Sequence, residues 1–81
     1  MVKKKNKEMR QFMVRIVRST DEEYTDLVVD AQDEEQAKRI AQEIVEKNPS
    51  LYFSDPEMPT YRPDPMSDVE DVTGGEYKSV N

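Results

Sequence analysis

Residues 10–47 change their hydrophobic period once, and that change limits the fold more than any other feature of the chain. Residues 11–17, QFMVRIV, alternate: Phe12, Val14 and Ile16 share one face, and Met13, Arg15 and Val17 share the other. Residues 24–31, YTDLVVDA, alternate again, with Thr25, Leu27, Val29 and Ala31 on one side and Tyr24, Asp26, Val28 and Asp30 on the other. The spacing then lengthens. Ala37, Ile40, Ala41, Ile44 and Val45 form the single apolar stripe of a helix that lies on a sheet. Two strands followed at once by an amphipathic helix is the arrangement these residues permit.

The details of the stretch agree with that order. The β-branched and aromatic residues of both runs suit a pleated surface. The connecting RSTDEE holds no Gly, which fits a loop of several residues better than a two-residue turn, and its shortness makes the strands antiparallel. Asp26 and Asp30 fix the register, because a one-residue slip would bury both carboxylates. Asp33 is placed to accept from the open amides of a helix start, with Gln36 three residues on, close to a capping box. Glu34 and Glu35 stand in the first turn, where the helix dipole favours negative charge. Asn48-Pro49 ends the helix: Asn tolerates the left-handed conformation and Pro cannot continue the hydrogen-bond ladder.

Composition sets the scale of what can be built. Eighty-one residues, 35% hydrophobic and 37% charged, make one small domain with a thin core. There is no Cys, His or Trp, so disulfides, thiolate metal sites and the commonest general base are missing, and the chain suits a reducing cytosol. No apolar run is long enough to span a membrane, and the basic opening has no apolar segment behind it, so a cytoplasmic protein is expected. The net charge of −6 is unevenly placed. Residues 1–18 hold seven Lys or Arg against one acid, and residues 19–81 hold five against 17 acids. This is the pattern of a basic arm on an acidic body.

The remaining segments are less regular. Residues 1–9 read as a flexible basic arm, either a solvated leader or a tether for an acidic surface or nucleic acid. Residues 10–53 form the ββα core, with LYF at 51–53 as a third strand. Residues 54–67 carry Pro56, Pro59, Pro63 and Pro65 and read as an extended Pro-rich loop, with PEMP at 56–59 in the form of a PxxP ligand. Residues 68–81 are an acidic tail in which Gly74-Gly75 gives either a short hairpin or a frayed end.

None of the polar clusters carries a reactive pattern. Asp21, Glu22 and Glu23, then Asp33, Glu34 and Glu35, then Asp68, Glu70 and Asp71 all lack the spacing of a hard-cation loop, and capping explains the middle triplet. Ser and Thr have no base beside them. Glu34–Lys38, Glu35–Arg39 and Glu43–Lys47 are helix pairs worth a few tenths of a kcal/mol each. No catalytic residue, metal or cofactor is expected, and an enzyme is the poorer reading. The face that the helix leaves uncovered, with Met13, Val17, Tyr24 and Val28, either pairs with a second copy or is covered by residues 51–80.

The span VRIVRSTDEEYTDLVVDAQDEEQAKRIAQEIVEK resembles a build recurrent among small phage and plasmid proteins, in which an acidic-Ala step leads into a capped helix. It is similar to the DpnD/PcfM-like accessory proteins, and DAQDEEQAKRIA is similar to the helix of a small anti-CRISPR, with Lys38 and Arg39 matching and the acidic remainder departing from it. In size and charge the chain also resembles acidic phage inhibitors that imitate DNA.

The expected architecture is α+β: a small antiparallel sheet, ββα followed by one to three short strands, with one helix on one face. The expected function is a non-enzymatic, phage-type inhibitor that binds a basic host nucleic-acid-binding protein and blocks its DNA site. Asp21, Glu22, Glu23, Asp26 and Asp30 are the expected contacts. Asp26 and Asp30 project on one strand face, spaced by twice or four times the residue rise of roughly 3.3–3.4 Å, and one DNA strand carries a phosphate per about 3.4 Å. A partner protein is expected, with direct nucleic-acid or membrane contact not expected and a homodimer through the uncovered sheet face. A defence-evasion protein of anti-CRISPR type, gripping through Lys38 and Arg39, and a phage structural or assembly accessory protein are the alternative readings.

Overall fold

The computed structural model describes residues 9–19, 23–53 and 60–81. The basic arm before Met9, Asp21 and Glu22 of the β-loop, and the PEMP segment lie outside the described residues. Elements run β1 (Arg10–Arg18), β2 (Tyr24–Ala31), α1 (Glu34–Lys47), α2 (Pro49–Tyr52), β3 (Tyr61–Pro63) and β4 (Glu70–Asp71). The result is an open, four-stranded antiparallel sheet with one main helix packed against it, an α+β fold.

β1 is the central strand. On one side it pairs with β2 in the register Phe12 to Val29, Val14 to Leu27 and Ile16 to Thr25, so the two alternating patterns place their apolar members on one face. That face receives α1. Phe12, Val14, Ile16, Leu27, Val29 and Ala31 pack with Ala37, Ala41 and Val45 into one buried cluster, with Ile40 and Ile44 partly buried around it. Small residues at Ala37 and Ala41 occupy the middle of the stripe, which lets the helix backbone approach the sheet closely.

The helix ends follow local chemistry. Asp33 accepts from the Gln36 amide at 2.8 Å, and Gln36 Oε1 accepts from the Gln32 amide at 2.7 Å, one residue ahead of the reciprocal contact in a capping box. At the other end Asn48 has φ −136°, not the left-handed value expected from the sequence. The following Pro49 forces this, since the residue before proline is pushed towards extended backbone. The three Glu–Lys/Arg helix pairs do not form ion pairs; side chain to side chain, Gln42 instead donates to Glu46 at 3.2 Å.

Three expectations after the helix are corrected. Residues 51–53 do not form a strand. Pro49 sits at the first helical position, where its missing N–H costs nothing, and starts the short helix α2. The third strand is Tyr61–Pro63, inside the stretch read as a Pro-rich loop; it lies at the sheet edge, where Pro63 is tolerated. Gly74-Gly75 makes no hairpin. Glu70–Asp71 pairs with Met13 and Phe12 of β1, and Gly74, at φ +87°, turns the chain into residues 77–81.

β3 and β4 therefore share one edge of β1, β3 against Ile16–Arg18 and β4 against Phe12 and Met13. Residues 64–69 leave the sheet between them. Asp64 starts that excursion as an Asx turn: its carboxylate accepts from the Met66 amide at 2.9 Å and its carbonyl from Ser67 at 3.2 Å, with Pro65 presetting the turn.

Two stability outcomes follow. Ile16 is 0% exposed, so Ile16→Ala lowers unfolding free energy by about 2–5 kcal/mol, whereas Leu51, 76% exposed on α2, tolerates Ala within about 0.5 kcal/mol; urea denaturation separates them. Tyr61 stacks on Phe53 at 5.3 Å between ring centroids, while its buried hydroxyl has no hydrogen-bond partner among the described residues. Tyr61→Phe removes an unpaired polar atom and raises stability by about 1 kcal/mol in the same assay.

Candidate functional site

The face of the sheet turned away from α1 gathers most of the unusual side-chain chemistry. The odd-numbered residues of β1 and the even-numbered residues of β2 point to it, so Arg15 lies opposite Asp26. Their contact is two-pronged: Arg15 Nε to Asp26 Oδ1 at 2.9 Å and Nη2 to Oδ2 at 3.2 Å. The guanidinium carbon also stands 3.9 Å from the centre of the Tyr24 ring. The hydrogen bond that Arg15 donates to Asp26 raises the Arg15 pKa further, with the charge of Asp64 adding to it. Arg15 is thus a fixed cation held among carboxylates.

The 64–69 excursion brings more acids to this point. Met13, Arg15, Asp26, Ser67, Asp68 and Glu70 line a depression of about 70 Å³. That volume holds about two waters or the tip of one side chain, well short of the roughly 300–1,000 Å³ of a small-molecule pocket. Beside it runs an open groove of about 410 Å³ between Val17 and Tyr24 on one side and Arg62, Asp64, Pro65 and Met66 on the other. Tyr24 is 55% and Met66 91% exposed. Among the described residues, no three His, Cys, Asp or Glu side chains group closely enough to hold a metal ion.

The expected contact residues separate in space. Asp26 lines the depression, with its charge already matched by Arg15. Asp30 is half-buried and accepts from Ser79 Oγ at 2.6 Å. Glu23 turns to the other side of the sheet, where it pairs with the buried Arg18 at 3.0 Å. Asp21 and Glu22 lie outside the described residues. Asp68, Glu70 and Tyr24 were not singled out as contacts from the sequence. No signal short of the pairing of the two-residue strand β4 with β1 would have put Glu70 beside Arg15.

The uncovered face is covered in part. Val28 is 8% exposed, and Met13 and Val17 are half-buried. Residues 77–81 cross this face at its Gln11 end: Gln11 Nε2 donates to the Tyr77 carbonyl at 3.0 Å and to Ser79 Oγ at 3.1 Å. The turn that starts the crossing is tied by Asp71, which accepts from Thr73 Oγ1 at 2.6 Å and the Thr73 amide at 3.0 Å and pairs with Arg10 at 2.6 Å.

No known family model, curated protein or solved structure matches the chain. Among the described residues no helix is long and apolar enough to cross a membrane.

The turn at Asp71 makes a pH-dependent outcome. Hydrogen bonds from the Thr73 hydroxyl and amide, with Arg10 adding to them, hold the Asp71 carboxyl below its ordinary 3.8. A depressed folded pKa contributes stability that is present above the unfolded value and is lost as pH falls through the folded one. An NMR titration of the side-chain carboxyl should therefore give a midpoint below 3.8, and Thr73→Ala should move it upward.

Proposed function

We propose that the protein is a non-enzymatic binding protein of the phage-inhibitor type, whose outer sheet face takes up part of the basic surface that a host nucleic-acid-binding protein offers to DNA. The observation that carries the reading is the gathering of Asp26, Asp68 and Glu70 round one depression, with Asp64 in the adjoining groove. Arg15 and Arg62 are the bases among these lining residues, and Arg15 is already held by Asp26. The depression fits the end of one Lys or Arg, and the exposed Tyr24 and Met66 beside it offer apolar area for the rest of such a contact.

Opposed charges of this kind set association rate and partner choice more than final affinity, and salt weakens them. The contact set differs from the one expected from sequence: Asp68 and Glu70 join Asp26, while Asp30 and Glu23 are engaged within the chain.

The test is displacement of duplex DNA from a basic bacterial nucleoid protein, followed by fluorescence anisotropy at low and high salt. Displacement should occur at low salt and fade as salt rises. The double substitution Asp68→Asn/Glu70→Gln should weaken it roughly tenfold, about 1.4 kcal/mol. Lys38→Ala/Arg39→Ala, on the helix, should leave it unchanged. Absence of displacement at any salt, or dependence on Lys38 and Arg39 instead of the acids, overturns the reading.

A further inference from the structure

β2 is the long outer strand of the sheet, and its outer edge is closed at one end only. In an antiparallel strand, alternate residues turn both backbone groups to the same side. The Asp30 amide donates to Asn81 Oδ1 at 2.7 Å and its carbonyl accepts from Asn81 Nδ2 at 3.0 Å, while the Val28 carbonyl accepts from the Val80 amide at 2.8 Å. These groups therefore face away from β1, and so do those of Tyr24 and Asp26. The bonds on the far side of β1 agree: Gln11 and Arg15, opposite Asp30 and Asp26, accept from Val72 and Asp64. Among the described residues, no hydrogen bond reaches the amides of Tyr24, Asp26 or Val28.

Residues 80 and 81 thus stand where a further strand would begin. Asn81 does so with its side-chain amide, which copies the donor and acceptor of a peptide unit. The seal is polar and shallow. Tyr77 and Val80 remain 47% and 48% exposed, so little apolar burial holds the segment down.

We infer that the β2 edge is a docking edge for an extended strand of basic–apolar alternating sequence, and that residues 79–81 occupy its Val28–Asp30 end until such a strand displaces them. The occupant's chemistry follows from β2. On the outer face the edge presents Tyr24, Asp26, Val28 and Asp30; Asp26 already holds Arg15, so the carboxylate that a neighbouring strand matches with Lys or Arg is Asp30. On the helix side its neighbours are Leu27 and Val29, already buried under α1 at 3% and 0% exposure, so an apolar side chain laid against them costs less desolvation than a polar one. Release of Ser79 also frees the Asp30 carboxylate that it now engages, so tail and strand exclude each other. Strand addition of this kind draws affinity from main-chain bonds and selectivity from alternate side chains. The inference rests on the proposed function only in expecting a basic partner.

The experiment uses the full chain with two synthetic octapeptides, alternating Lys-Val and alternating Glu-Val, read by amide hydrogen exchange and NMR shifts. The Lys-Val peptide should slow exchange of the Tyr24, Asp26 and Val28 amides at least about tenfold and shift Val80 and Asn81 towards unstructured positions. Ser79→Ala/Asn81→Ala, both near the surface and outside the core, removes the three side-chain bonds that the segment makes to Asp30 and should bind the peptide at least about tenfold more tightly. Equal binding of the Glu-Val peptide, or unchanged affinity in the double variant, overturns the inference. Shifts at Ser67, Asp68 and Glu70 without protection of the β2 amides also overturn it, while leaving the outer-face reading intact. Protection of the β2 amides in a protein that fails to displace DNA supports the edge and removes the inhibitor function.

Discussion

Everything in this small sheet is arranged around β1. Its even-numbered apolar residues, Phe12, Val14 and Ile16, make the floor on which α1 sits, and both of its edges are paired, one by β2 and the other by β3 and β4 in succession. The strand also carries three arginines, and each draws in a carboxylate from a different part of the chain. Arg10 meets Asp71 after β4, Arg15 meets Asp26 across the ladder, and Arg18 meets Glu23 at the β-loop. Exposed pairs of this kind contribute little stability individually. Their effect is positional, since they decide which carboxylates remain available at the surface. Arg18 differs from the other two: it is buried beside Phe53 at 5.2 Å, where a guanidinium without its charge partner would cost far more than a surface pair gains.

The charge distribution reads differently in space than along the chain. In sequence the first 18 residues are basic and the rest acidic. In the fold, the arginines of β1 lie inside the acidic body and are matched there, so the β-strand portion of the basic arm is not a separate electrostatic unit. The carboxylates that stay at the outer face come instead from the 64–69 excursion, which the sheet throws out between two short strands on one edge, and from Glu70 at its end. A six-residue departure opposite two residues of β1 has no room within the plane of the sheet, and Asp64-Pro65 fixes its turn.

What was legible before the structure was the part set by periodicity. The register of β1 with β2 follows from Asp26 and Asp30 having to avoid the core, and the helix face follows from Ala37, Ile40, Ala41, Ile44 and Val45. The cap at Asp33 was legible for the same reason, being a local choice of one oxygen for one amide. What was not legible depends on contacts distant in sequence. Tyr61 enters the core because Phe53 and Arg18 are there to receive it, and a Pro-rich stretch gives no local hint of that. Leu51-Tyr52-Phe53 has strand propensity, but Pro49 and the need to bring Phe53 back over the sheet settle it as a helical turn. The outer-face site failed to appear for a related reason: Glu70 meets Met13 through a strand of two residues, too short to carry a period.

The edges of the sheet tie these observations together. An open sheet must deal with the backbone groups of its outermost strands, and short or proline-bearing edges do so by offering too few groups to copy. The β3–β4 side has that character, broken in two and carrying Pro63. The β2 side does not. It is eight residues long, regular and free of proline, and its outward positions include Asp26, held by Arg15, and Asp30, held by Ser79. Those same carboxylates repel acidic strands, including a second β2, in which the aspartates would approach one another across the pairing. They favour basic ones. A guard against self-association is by its chemistry also a filter for partners, and the segment at 79–81 covers only the end that the filter leaves most open, where Asp30 is turned to Ser79.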